Sequence, residues 1–128
     1  MKRELKSHVV NGLNESLRIV VLDEPGQGNA NHRYCIFAPC DEVNQELNAS
    51  LVSPIVFQNG PVKETGLNGI SNECLLAIVE DRLVGFQSGP YACRENAIAL
   101  TKLQETMMWL QKRTRDRMAR GVECTNQK

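Results

Sequence analysis

The hydrophobic positions of the chain change their period near residue 60. Before it they come in short runs, Leu17–Leu22 (LRIVVL), Arg33–Phe37 (RYCIF) and Ser50–Gln58 (SLVSPIVFQ). Each is rich in β-branched or aromatic residues and bounded by turn formers, the pattern of a β-strand. Pro54 marks the third as an edge or bulged strand, because proline cannot donate to a ladder. Between the first two, Asp23–Asn31 (DEPGQGNAN) reads as a loop through Pro25, Gly26 and Gly28. Residues 38–46 fit neither period. Residues 1–15 are polar and mixed and read as an arm or an edge segment. The strand region is therefore 16–61, ending at Gly60-Pro61.

After the turn signal Asn68-Gly69 the period becomes helical. Ser71 can accept a first-turn N–H, and Glu73 lies near the positive end of the predicted helix. Leu75, Leu76, Ile78, Val79, Leu83 and Phe86 then recur at helical spacing. Gly85 and Ser88-Gly89-Pro90 close this helix. From Cys93 to about Arg120 nothing interrupts a second one, with Ala97, Leu100, Leu103, Met107, Leu110 and Thr114 along one face. Its roughly 28 residues would span about 42 Å. A short loop makes the two helices antiparallel. The second overhangs the first, and another subunit is an economical cover for the overhang. The expected fold is α+β in one domain over 1–128, with strands first and a long antiparallel helical hairpin over 70–122. The length of 128 residues fits one domain. The sequence FQxGP occurs twice, at Phe57–Pro61 and Phe86–Pro90, between dissimilar flanks, as one turn chemistry used twice.

Composition removes several function classes. Fifteen Lys+Arg balance fifteen Asp+Glu, which argues against generic adhesion to DNA or anionic membranes. No apolar run approaches the roughly 20 residues of a membrane span, and MKRELKSHVVNGLNES lacks the hydrophobic stretch of a secretory signal. Five cysteines without a CxxC pair fit reduced thiols in a cytoplasm. Cys35 and Cys40 are the one close pair, and only His32 stands near them as a further ligand, so they read as structural thiols and no metal is expected. His8 and His32 form no metal-hydrolase pattern, and no GxSxG or phosphate-binding P-loop occurs. Neither a catalytic group nor a cofactor is expected.

Two segments do carry chemistry. Lys112–Arg120 places five cations and one anion in nine residues, with Arg113, Arg117 and Arg120 at i, i+4 and i+7. Guanidinium groups on one face suit phosphates, while a basic helix end also complements its own dipole. Charge alone leaves both open. The second segment is the hairpin loop, residues 85–96 (GFQSGPYACREN). It offers two aromatic rings, amides, Arg94, and a helix start that favours anions. Such a set suits a nucleobase and a phosphate, or else Phe86 and Tyr91 simply cap the core.

The run FQSGPYACRENAIALTKLQE followed by WLQKRTRDRMARGVE resembles the phage Thoeris anti-defence sponge proteins. The likeness covers residues 55–125 closely and the first 50 loosely, chiefly through His32–Tyr34 (HRY). It implies a non-enzymatic protein with antiparallel strands before the hairpin. Such a protein would bind cyclic ADP-ribose-type signals, glycocyclic ADP-ribose among them, and hold them intact. CBASS cyclic di- and trinucleotides would bind at a separate site. The resemblance further implies a homo-hexamer, a trimer of dimers, in the cytoplasm of an infected bacterium, and a hairpin shared with anti-CBASS sponges. Phe86 would stack on the base and Asn96 would bond the nucleotide, with Gln87, Gly89 and Arg94 beside them. Arg113 and Arg117 would surround the phosphates of a cyclic oligonucleotide, and Arg33 is added from the strand region. Tyr91 replaces a frequent Phe, and Cys124 stands where Gly is expected. The alternative is a small phage nucleic-acid-binding or interaction protein using the basic helix end. On the sponge reading, neither a membrane nor long nucleic acid is a partner.

Overall fold

The computed structural model describes residues 3–38 and 52–122. Residues 39–51, including Cys40 and nearly all of the stretch of undecided period, and Cys124 lie outside them. Two compact units are present: residues 1–60 with 67–70, and residues 61–66 with 71–128.

The first unit is a four-stranded antiparallel meander. β1 (Arg3–Leu5), β2 (Arg18–Val21), β3 (Arg33–Phe37) and β4 (Val52–Val56) lie in the order β1-β2-β3-β4. The second predicted run coincides with β3, the first and third are trimmed to β2 and β4, and the amino-terminal segment supplies an edge strand. Val21 is opposite Tyr34, and Tyr34 is opposite Ile55, so these three share one face. Val21 is fully buried. Cys35 pairs with Pro54, which stands on the edge strand where its missing N–H is harmless. A five-residue helix, α1 (Gly12–Ser16), joins β1 to β2, and its first turn is capped by the Asn11 side chain.

The β2–β3 connection is held by Asp23. Its carboxylate accepts the backbone N–H of His32 at 3.0 Å and the Asn31 side-chain amide at 3.3 Å. Gly28 (φ 71°) and Asn29 (φ 65°) make the left-handed bend of this loop. Desolvation opposes ionisation of Asp23, but the N–H groups of His32 and Arg33 and the Asn31 amide outweigh it, so the carboxyl lies below its ordinary range.

The first FQxGP copy closes the unit. Gln58 donates to the Gly60 carbonyl at 3.1 Å and accepts the Asn68 N–H at 2.9 Å. The Asn68 side chain grips the Asn59 backbone twice, accepting its N–H and donating to its carbonyl, each at 2.8 Å. Phe57 and Ile70 form a parallel bridge. Gly69 lies so close that a Cβ there would stand 2.3 Å from the Phe57 carbonyl carbon.

The second unit begins with a short helix, α2 (Val62–Thr65), and continues as the hairpin α3 (Asn72–Gln87) and α4 (Arg94–Ala119). Ser71 caps α3 by accepting the Cys74 N–H at 3.2 Å. Cys93 caps α4, its Sγ accepting the Asn96 N–H at 3.4 Å. Six residues join α3 to α4, which pack along one another and so run antiparallel. Gly85 does not end α3, which continues to Gln87.

The less exposed positions of both helices follow a seven-residue repeat. They are Glu73, Leu76, Glu80, Leu83 and Gln87 on α3, with Leu75 beside them, and Asn96, Leu100, Leu103, Met107, Leu110, Thr114 and Arg117 on α4. That spacing is the coiled-coil seam. It corrects the expected faces at three points. The seam of α4 passes through Asn96 rather than Ala97. Ile78 and Val79 of α3 point outward, 59% and 45% exposed. Phe86 is also on the outer side.

The end of α4 is a Schellman turn. Val122 N–H bonds the Arg117 carbonyl and Gly121 N–H bonds the Met118 carbonyl, both at 3.0 Å, with Gly121 at φ 72°. The Arg117 side chain folds back onto the same turn, donating to the Val122 carbonyl at 2.9 Å. Arg117 is consequently buried, although the sequence pattern suggested an open cationic face.

Candidate ligand sites on the hairpin

Two clusters lie on the hairpin, one at its loop and one at the far end of α4. At the loop, Phe86 and Tyr91 meet edge to face, with ring centroids 6.2 Å apart and planes at 80°. Tyr91 is 72% exposed. The Arg82 guanidinium lies over the Phe86 ring, its Cζ 5.4 Å from the centroid. This spacing follows from the helix, because residue i leans toward i−4.

Amides fix the loop beneath the rings. Gln87 Oε1 accepts the Cys93 N–H at 3.0 Å, which satisfies one donor where α4 begins. Asn96 Nδ2 donates to the Tyr91 carbonyl at 3.5 Å. Gly89 N–H bonds the Phe86 carbonyl at 3.3 Å and turns the chain between them. Gln87 and Asn96 thus hold the shape of the loop, and Asn96 bonds the backbone of an aromatic residue of the cluster. Arg94, the first residue of α4, is exposed.

Gly85 is unusual here. It has helical geometry, and a Cβ at this position would meet open space. Glycine inside a helix costs about 0.5–1 kcal/mol relative to alanine, and no neighbour among the described residues requires it.

At the far end, Trp109, Lys112, Arg113, Asp116, Arg117 and Arg120 line an open depression of about 600 Å³. Lys112 Nζ pairs with Asp116 at 2.8 Å. Arg113 has no carboxylate or carbonyl partner among the described residues. Trp109 is 71% exposed and sits one turn before Arg113, so the depression joins an indole to guanidinium groups. The sequence reading picked out Arg113, Arg117 and Arg120 and missed Trp109. The available signal was the i, i+4 spacing of Trp109 and Arg113. Arg33 belongs to the sheet unit, exposed on β3.

Among the described residues, no group of His, Cys, Asp and Glu could hold a metal ion. His32 is buried with its Nδ1 unbonded, and His8 donates through Nε2–H to the Leu17 carbonyl. The Cys74 thiol is held below its ordinary value by the Ser71 hydroxyl and then the Ser71 backbone, against desolvation and the Glu73 charge. No described helix is long and apolar enough to cross a membrane.

Residues 53–115 match the Acb2/Tad1 hairpin domain. The match runs from β4 through the loop cluster to Arg115 and so includes Phe86, Asn96 and Arg113. A protein called Thoeris anti-defense 1, from Bacillus phage SBSphiJ7, is 52% identical over 80 residues. The aligned part is 62% of this chain and 56% of that relative, so the chain spans little more than half of the relative's length. In its hairpin the chain is thus similar to the Acb2/Tad1 proteins, Thoeris anti-defense 1 among them.

Proposed function

We propose that the protein is a phage anti-defence sponge, which binds cyclic nucleotide immune signals and withholds them without breaking a bond. Glycocyclic ADP-ribose of the Thoeris system is the ligand of the loop cluster. The observation that carries this is the pairing of Phe86 and Tyr91 above a loop pinned by Gln87 and Asn96. An exposed ring pair on a rigid turn offers a base a preformed platform, which limits the ordering cost of binding. Gly89 and Arg94 complete the rim.

The second cluster suits CBASS cyclic di- and trinucleotides. Trp109 provides a ring face, and Arg113 supplies donors for phosphate. Arg117 holds the helix end that presents them. The assembly is a homo-hexamer, a trimer of dimers. It is supported by the outward Ile78, Val79, Ile98 and Met108, apolar side chains that a partner subunit would cover. The setting is the cytoplasm of an infected bacterium. Arg33, exposed on the sheet unit, is proposed as a further ligand contact.

The test is to mix the protein with glycocyclic ADP-ribose, remove free ligand, denature by heat and chromatograph the supernatant. Recovery of intact ligand is expected. A new product peak would make the protein an enzyme instead. The basic, Trp-bearing end of α4 also favours a second reading, binding of long nucleic acid. In that case duplex DNA, and no cyclic nucleotide, would raise the melting temperature, and binding would fall steeply with salt.

A further inference from the structure

We infer that Arg82 is the anion-reading arm of the loop cluster, its guanidinium receiving the diphosphate of an ADP-ribose-type ligand whose base stacks on Phe86. This deepens the proposed function of that cluster and rests on it.

The first support is what surrounds Arg82. Its helix neighbours at i±3 and i±4 are Ile78, Val79, Gly85 and Phe86, so no carboxylate is placed to pair with it. Among the described residues its contact is the Phe86 ring, and no carbonyl or carboxylate accepts its N–H groups. A guanidinium has five donors in a rigid fork and always carries its charge. Here that charge is held against a ring face while the donors remain unspent.

The second support is Gly85. On α3 it lies between Arg82 and Phe86, and the space above it is open. Glycine leaves the helix surface next to both residues bare, and among the described residues neither packing nor backbone geometry calls for it. A ligand that stacks on the ring and bonds the guanidinium one turn away could lie over that bare surface. Arg94, by contrast, begins α4 and has no ring contact, so it contributes charge without fixing an aromatic group.

The cluster therefore reads two features at once, an aromatic base through Phe86 and a doubly charged linker through Arg82. Bidentate guanidinium–phosphate bonds are geometrically specific, so neutral nucleosides should be discriminated against at this site.

Titration calorimetry with glycocyclic ADP-ribose tests this on the intact protein, comparing wild type, Arg82→Met, Arg82→Lys and Phe86→Ala at several salt concentrations. Arg82→Met should weaken binding roughly 10- to 100-fold, the usual range for a lost charged hydrogen bond. Its dependence on salt should be shallower than that of wild type, and Arg82→Lys should recover part of the loss. Thermal unfolding should resemble wild type, since the replaced group is exposed. Undiminished binding by Arg82→Met, with Phe86→Ala defective, overturns the role of Arg82 and leaves the sponge reading standing. A loss with an unchanged salt slope and no rescue by lysine overturns the charge-reading role. A wild-type protein that binds no glycocyclic ADP-ribose overturns both.

Discussion

At the scale of single residues, the two hairpin clusters differ in how they would hold a ligand, and this separates their mutants. Phe86→Ala removes a stacking face and should weaken glycocyclic ADP-ribose by about 1–3 kcal/mol, leaving cyclic trinucleotides little changed. Arg113→Ala should do the reverse, and calorimetry with both ligands checks it. If each variant lost both ligands while still folded, the clusters would not be independent. Asp23 makes a prediction of another kind. Its folded-state carboxyl lies below the ordinary 3.8. It therefore adds stability above the unfolded value, and that stability is lost as pH falls through the lower folded value. Asp23→Ala should melt earlier than wild type near neutrality, and the gap should close below about pH 4. Of the site residues, Phe86, Asn96 and Arg113 could be picked out from side-chain chemistry and resemblance. The burial of Arg117 could not, because it depends on a turn that brings the Val122 carbonyl back within reach of the side chain. Gly121 in the sequence was the one local sign of that turn.

At the scale of elements, the helices were readable and their orientation was not. Ser71 and the long uninterrupted run after Cys93 set the helix bounds through local chemistry. Which face turns inward is a tertiary matter. Apolar residues occupy two sides of α3, while the seam itself takes in Glu73, Glu80 and Gln87. A hydrophobic period therefore finds the helix and misplaces Ile78, Val79 and Phe86. Strands were easier, since β-branched runs between turn formers leave few options. The short helix α2 had no such signal. Two glycines give opposite predictions. Gly69→Ala would drive a Cβ into the Phe57 backbone and should destabilise the fold by about 1–3 kcal/mol in urea unfolding. Gly85→Ala meets no obstacle and should stabilise the hairpin by about 0.4–1 kcal/mol, yet weaken glycocyclic ADP-ribose because it fills the clearance beside Phe86. A variant both firmer and fully binding would show that the open space serves something else.

At the scale of the whole molecule, the chain carries no net charge, but five of its fifteen cations lie within Lys112–Arg120. Attraction there is local, so cyclic oligonucleotide binding should weaken only modestly with salt, unlike the steep fall seen with a duplex. Few described side chains are fully buried, and Ile98, Met108 and Trp109 stand outward. Multi-angle light scattering should accordingly report an assembly several times the mass of one chain. A monomer at micromolar concentration would leave those apolar groups without a purpose. The sequence pattern could suggest such an assembly from the overhang of α4, whereas its stoichiometry came from the resemblance alone.

The seven-residue seam of the hairpin makes it a graduated ruler. Adding one full repeat to each helix at matched rungs would carry the loop about 10 Å further from the basic tip. The direction in which either end faces would stay nearly constant. A protein stretched this way keeps both side-chain clusters and changes only the distance between them. Its affinity for each proposed ligand would reveal whether the length between the clusters is itself under selection.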